Sequence, residues 1–335
     1  MGEFDLIERY FNRFGRPPAR SDGMALGVTL GIALGIGDDC ALLQPQPGMQ
    51  LAISTDMLVE GRHFFASVDA QALGHKALAV NLSDLAACGA TPLAFTLALA
   101  LPEVNETWLA DFSSGLFALA DAHHCTLVGG DTTRGPLTIC ITVFGQVPVD
   151  GGKSTALLRS GAQAGDDIYV SGHLGDARLA LEVLHGNLQV PAAVLAQARE
   201  RLERPAPRVA LGQALRGVAS AAIDVSDGLL GDLGHVLKAS GVGATLHTEL
   251  ALASLATDSL RSHPHALSFV LAGGDDYELA FTAPASARAA VQRAAELSKT
   301  PVARIGQIDA ALGLRLVDAH GAAVDNDFHS FDHFQ

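Results

Sequence analysis

Basic residues are scarce in this chain. It has 22 Lys and Arg against 36 Asp and Glu, a formal net charge of −14, and no block of five or more basic residues. That excludes nucleic acid as a partner, because neutralising a phosphate backbone takes clustered Lys and Arg. Cysteine is sparse too: Cys40, Cys88, Cys125 and Cys140 stand singly, without a Cys-x-x-Cys pair. This argues against structural zinc and a disulfide framework, and for small buried thiols. The longest strongly apolar run, Leu93–Leu101, is fenced by Pro92 and Pro102. It is far short of the roughly 20 residues that cross a bilayer and reads as a buried strand. Glu3 and Asp5 occupy the stretch where a signal peptide carries Lys or Arg, and Leu6 breaks a myristoylation pattern. The expected location is the cytoplasm, with no membrane partner. Dinucleotide fingerprints, protein-kinase catalytic-loop signatures and a Gly-x-Ser-x-Gly elbow are missing as well.

Hydrophobic residues make up 49% of the 335 positions and charged residues 17%, the balance of a globular chain long enough for two domains. Turn chemistry at Pro148-Val149-Asp150-Gly151-Gly152 divides it into residues 1–150 and 151–335. Phe4, Ile7, Tyr10, Phe11 and Phe14 have helical spacing over 3–15, and the Pro-, Arg- and Gly-rich stretch 16–30 reads as a loop. Strands are expected at 50–54, 94–101, 126–128 and 137–147, with helices at 70–87 and from an Asn105 N-cap to about 123. In the second half, strands at 167–171 and 221–224 alternate with helices at 176–184, 191–203 and 226–239. The class is α/β or α+β.

Acidic residues gather beside glycines, in Gly35-Ile36-Gly37-Asp38-Asp39, Ser54-Thr55-Asp56, Asn81-Leu82-Ser83-Asp84 and Gly129-Gly130-Asp131. The second half adds Asp224-Val225-Ser226-Asp227-Gly228 and Gly273-Gly274-Asp275-Asp276-Tyr277-Glu278. Several follow directly on an apolar run, so the expectation is carboxylates fixed at strand ends, with glycine letting backbone approach an anion. A lone Asp-Gly is usually only a turn, but six clusters point to chemistry. Crowded carboxylates repel and stay ionised only if cations join them. Hard oxygen donors suit Mg²⁺ or Mn²⁺ shared with substrate phosphates. Gly151-Gly152-Lys153-Ser154 imitates the end of a P-loop, yet Val147 stands where that motif needs its first glycine. His63, just after the Asp56 cluster, can face a ligand; His123, His124, His235, His329 and His333 lack metal-ligand spacing.

In order along the chain come GIGDDCALL at 35–43, STDMLVEGRHF at 54–64, NLSDLAACGA at 81–90 and GGDTTRGPL at 129–137. RSGA at 159–162, IDVSDGLLGDLGH at 223–235 and GGDDYEL at 273–279 complete the series. The chain thereby resembles the thiamine-monophosphate kinases, within an ATP-binding superfamily that includes aminoimidazole ribonucleotide synthetase. The resemblance implies two α/β (α+β) domains, the N-terminal sheet joining that of a second copy into a barrel across a homodimer. It implies phosphorylation of thiamine monophosphate by ATP with several Mg²⁺ ions and no protein nucleophile. By the same resemblance Asp39, Ser54, Thr55, Asp56, Asp84, Asp131, Asp224 and Asp227 are the magnesium set. Gly130, Asp131, Arg159 and Ser226 are ATP contacts, and His63, Asp275 and Phe331 contact thiamine monophosphate. At position 275 some relatives carry Glu, one methylene longer. Alternatives are another ATP-dependent enzyme of the superfamily, a metal phosphohydrolase, or a non-catalytic metal-binding module. A selenophosphate synthetase would carry an early reactive Cys and Lys, and the first 39 residues contain neither.

Overall fold

The structure is a computed structural model and describes residues 2–12, 31–36, 39–256 and 260–328. Two compact units result: Met1–Leu85 with Ala90–Ser154, and Ala86–Gly89 with Thr155–Gln335.

In the first unit, a short antiparallel pair, β1 (Ile32–Leu34) and β2 (Leu42–Leu43), precedes the main sheet. That sheet comprises β3 (Met49–Val59), β4 (Thr91–Leu101), β5 (Thr126–Arg134) and β6 (Thr138–Asp150), in the order β3-β6-β4-β5. Its pattern has the period of two that a half-covered sheet requires. Along β6, buried Ile139, Ile141 and Val143 alternate with half-buried Cys140, Thr142 and Phe144. Helix Ala70–Ala87 covers the first of these faces, with Leu85 against Gly145 of β6. Helix Glu106–Ala122 buries Leu109, Phe112, Leu116 and Leu119, and Asn105 caps it by accepting the Trp108 N–H at 3.1 Å. The other face of the sheet leaves Leu51, Ile53 and Met57 of β3 exposed.

The second unit has a seven-stranded mixed sheet. Its strands are β8 (Asp167–Ser171), β9 (Ala221–Val225), β10 (Gly243–His247), β11 (Glu278–Ala283), β12 (Val302–Asp309), β13 (Gly313–Val317) and β14 (Ala323–Val324). The order is β14-β13-β10-β12-β8-β11-β9, antiparallel except between β10 and β13. Every residue of β8, β9 and β11 is buried, β8 and β11 as central strands covered on both faces and β9 although it ends that order. Ile168, Val170, Ile223, Leu229, Leu233 and Leu246 share this core, and Ala177, Leu179, Ala198, Leu202 and Phe269 form a smaller one beside it. The fold is thus mixed helix and sheet in two units, and among the described residues no helix is long and apolar enough to cross a membrane.

Several expectations are corrected. The acidic runs 54–56 and 129–131 lie inside β3 and β5, not after them, because the ladder to β6 and β4 continues through the polar residues. The run 81–84 lies inside helix Ala70–Ala87, as the helix expected at 70–87 requires, and not at a strand end. The helix expected from residue 226 spans Leu229–Ser240, since Gly228, at φ +116, keeps Ser226 and Asp227 outside it. The thiols are not all buried: Cys125 is, but Cys40 is exposed. The first helix is Glu3–Tyr10, and the loop 16–30 lies outside the described residues.

Around Lys153, Gly151 and Gly152 have φ +55 and +78 and join β6 to β7 (Lys153–Ser154), which pairs back on Val149 and Asp150. Two positive φ values define a type I′ hairpin turn, and no helix follows to present N–H groups to a phosphate. Lys153→Ala should therefore leave any phosphoryl transfer largely intact; a loss of roughly 10³-fold, the size seen for a key electrostatic group, would restore the P-loop reading. Asn105→Ala should lower the unfolding free energy by about 1 kcal/mol, read from the urea midpoint, while an unchanged midpoint would deny the cap its role.

Candidate active site

In the first unit, strand alternation sorts the candidate ligands onto two faces. Ser54 and Asp56 point toward helix Ala70–Ala87: the Ser54 hydroxyl donates a hydrogen bond to Asp84 Oδ2, and the Asp56 N–H donates to Asn81 Oδ1 at 3.1 Å. Asn81 and Asp84 lie three apart on one helical face, and Asn81 is steadied by donating to the Ala77 carbonyl at 3.0 Å. The side chain of Thr55 does not join this group: its hydroxyl lies 2.9 Å from that of Thr142 on the open face. Asp131 is exposed on that open face too, in the row Met57–Cys140–Ala98–Asp131 across four strands. Beside it, Gly130 sits so close to β4 that a Cβ would fall 1.8 Å from the Leu97 carbonyl oxygen, so glycine alone fits. Asp39 is exposed in a bend before β2. His63 accepts the Val59 N–H on Nδ1 at 3.0 Å, so in this geometry the ring proton of the neutral imidazole is on Nε2.

In the second unit two acidic loops lie side by side at the ends of β9 and β11. Main chain holds them together: Asp275 N donates to Ser226 O at 2.7 Å and Tyr277 N to Val225 O at 2.8 Å. Asp275 and Tyr277 have φ +60 and +49, a left-handed strain that clusters at functional sites. The Tyr277 hydroxyl donates to Asp275 Oδ1 at 3.1 Å. Asp224 is buried at the end of β9, whereas Ser226 and Asp227 are half-buried. Asp232, one turn into the helix, accepts from the Ser226 and Asp227 N–H groups at 3.0 and 3.1 Å. Burial pushes its carboxyl up to about 6 despite these donors, and the Asp227 charge adds to the rise. Asp276 accepts the Gly175 N–H at 2.9 Å on Oδ1, while its buried Oδ2 has no hydrogen-bond partner among the described residues. Burial first, then the charges of Asp176, Glu278 and Asp275, hold this carboxyl well above the usual range. Arg159 is exposed, and Ser240 pins its segment by accepting the Gly161 and Ala162 N–H groups at 3.1 and 3.2 Å. Phe331 lies outside the described residues.

Sequence reading did not single out Asn81, Asp232 or Glu278 for these supporting parts, although each lies inside a motif already noted. Among the described residues no three His, Cys, Asp or Glu side chains converge as a metal-binding group. The donor sets still fit magnesium, which is usually held by one or two carboxylates and completed by phosphate oxygens and water. The Ser54–Asp84 pair and the Asp224 and Asp227 carboxylates offer only hard oxygens of that kind.

The AIR synthase related protein family matches in two parts, its N-terminal domain over residues 37–147 and its C-terminal domain over 163–319. Within that class the chain belongs to the thiamine-monophosphate kinase family. It is 48% identical to the thiamine-monophosphate kinase of Salmonella typhimurium over 99% of this chain and 98% of the relative, and 47% identical to that of Escherichia coli K12 with the same coverage. The crystal structure of thiamine-monophosphate kinase from Stenotrophomonas maltophilia K279a superposes with a TM-score of 0.79 at 48% identity, covering 88% of this chain and 92% of that one. AaThiL complexed with AMPPCP and TMP superposes with a TM-score of 0.74 at 27% identity, covering 87% and 89%.

The raised carboxyl of Asp276 carries a pH signature. A group that keeps its proton when folded but loses it when unfolded costs stability as pH rises above the unfolded carboxylate value, until the folded value is reached. Asp276→Asn mimics the protonated form, so in EDTA it should raise the urea midpoint at pH 8 and change it little at pH 4. An equal effect at both pH values would show that Asp276 is ionised in the folded chain.

Proposed function

We infer that this chain phosphorylates thiamine monophosphate to thiamine diphosphate with ATP, assisted by magnesium. The supporting observation is a match along the whole chain to thiamine-monophosphate kinases, joined to oxygen-only donor sets in both units. The AaThiL complex with an ATP analogue and TMP supports the same pair of substrates.

In this reading the N-terminal domain, residues 1–150, binds ATP and metal and makes the dimer, and residues 151–335 form the second domain. Asp39, Ser54, Asp56, Asp84, Asp131, Asp224 and Asp227 would hold magnesium; Thr55, also in the set that the resemblance implies, turns its hydroxyl to Thr142. Bound there, such ions would neutralise the phosphates and spread the charge of an in-line displacement. Gly130 lets the backbone approach the nucleotide, Arg159 supplies a permanent planar charge to its phosphates, and Ser226 and Asp131 complete the ATP contacts. His63 donates from Nε2 to the acceptor phosphate, while Asp275 and Phe331 hold the rest of thiamine monophosphate, the aromatic ring covering a flat heterocycle. An acceptor phosphate oxygen attacks the γ-phosphorus, the bond to the ADP oxygen breaks, and ADP leaves. That oxygen is already ionised near neutral pH, so neither a protein nucleophile nor a strong base is required.

The exposed stripe Leu51, Ile53 and Met57 on the open face of the N-terminal sheet supports a homodimer in which a second copy covers that face. A cytoplasmic location accords with this chemistry.

Mass analysis of products from ATP, Mg²⁺ and each candidate acceptor tests the function. Thiamine monophosphate should give thiamine diphosphate, and free thiamine should react roughly 10⁴-fold more slowly, because it leaves the phosphate-binding groups unpartnered. Comparable turnover of free thiamine would reject the phosphate acceptor; turnover of an aminoimidazole ribonucleotide alone would reject the kinase. Asp84→Asn and Asp224→Asn should each cost on the order of 10²-fold in kcat, and full activity in either would remove that residue from the magnesium set.

A further inference from the structure

The loop before β11 holds two left-handed non-glycine residues, Asp275 and Tyr277, and so needs anchors at its ends. On one side Asp276 takes the Gly175 N–H. On the other, Glu278 is 3% exposed and both of its oxygens are engaged. Arg208 grips it with two parallel N–H groups, Nε to Oε2 at 2.6 Å and Nη2 to Oε1. Ser171 Oγ donates to Oε2, and the His173 N–H reaches Oε1 at 3.4 Å. No side chain fits at Gly172, whose Cβ would fall 1.9 Å from the Glu278 carboxylate. Arg208 is largely buried itself and follows Arg204-Pro205-Ala206-Pro207, which restricts the backbone leading into it. Burial opposes its charge, but the hydrogen-bonded Glu278 more than restores it, and the guanidinium is held above its ordinary value.

We propose that Arg208 and Glu278 are positioning residues for the phosphate acceptor: their bidentate pair fixes where β11 begins and so holds Asp275 in the conformation that receives thiamine monophosphate. This rests on the reading of Asp275 as an acceptor contact. Arg208 touches neither substrate in that reading and acts through Tyr277 and Asp276, the two residues that separate Glu278 from Asp275. A lysine keeps the charge but loses the fork, so Arg208→Lys loosens the geometry without stranding a buried carboxylate.

The test is steady-state kinetics of the full chain with ATP and Mg²⁺, on Arg208→Lys, Asp275→Ala and the double variant. Arg208→Lys should raise KM for thiamine monophosphate by on the order of 10-fold while KM for ATP moves by less than about two-fold; a merely structural defect would not split the two constants. In the double variant the effects should fail to add, Arg208→Lys doing little once Asp275 is gone. Full additivity, equal rises in both KM values, or an unchanged KM for thiamine monophosphate would overturn the positioning role. If Arg208→Lys does not fold, Ser171→Ala removes one donor from Glu278, keeps the ion pair, and should give the same non-additive pattern with a smaller shift. A wild type that turns over thiamine monophosphate while these variants behave additively overturns this inference alone. A wild type that does not turn it over overturns the proposed function and this inference with it.

Discussion

Carboxylates that repel one another have to be held together by something other than themselves. In the C-terminal unit that task falls to main chain: the loops carrying Ser226-Asp227 and Asp275-Asp276 are joined by Asp275 N to Ser226 O and Tyr277 N to Val225 O. The strain at φ +60 and +49 accompanies that joining, because these φ values let both N–H groups face the neighbouring loop. Asp232 is the counterpart inside the helix, spending its carboxylate on the amides of residues 226 and 227. In the N-terminal unit a helix does the same work, with Asn81 and Asp84 presented together to Asp56 and Ser54 of β3.

Such preorganisation suits a chain of net charge −14 that handles anionic substrates. Left alone, the acidic loops would repel a triphosphate; with a divalent ion between them the same oxygens attract it. Rigid main-chain anchoring matters because phosphoryl transfer asks little covalent chemistry of a protein and much positioning. It also gives a role to Asp276 and the Arg208–Glu278 pair, which lie directly behind the loops.

Much of this architecture was legible in the sequence where local signals agreed. Helix Ala70–Ala87 and the helix that Asn105 caps lie where the sequence reading puts them, the second because an Asn ahead of an apolar run is capping chemistry. Val147 rules out a P-loop, and the Gly151-Gly152 hairpin explains the lookalike. What misread were boundaries set by tertiary pairing. Ser54-Thr55-Asp56 looks like the end of a strand, yet β6 is long enough to pair onward to Val59. Ser226 looks like the start of a helix, but Gly228 and the Asp232 carboxylate delay it by three residues. The division of the proposed magnesium ligands between two faces of one sheet, with Thr55 opposite Ser54 and Asp56, follows from strand alternation once β3 is known to run through them. Glu278 stood inside a recognised motif, but its partners Arg208 and Ser171 are 70 and 107 residues away, and no local pattern announces them.

In the proposed reading divalent metal, and not the protein's own cations, makes this acidic chain attractive to a nucleotide. Calorimetric titration of ATP into the wild-type chain tests it most directly, once with excess Mg²⁺ and once with EDTA, in otherwise identical buffer. The expected result is saturable binding with Mg²⁺ and none detectable with EDTA. Equal affinity in the two buffers would contradict it, and would mean that Arg159 and the backbone amides hold the phosphates unaided.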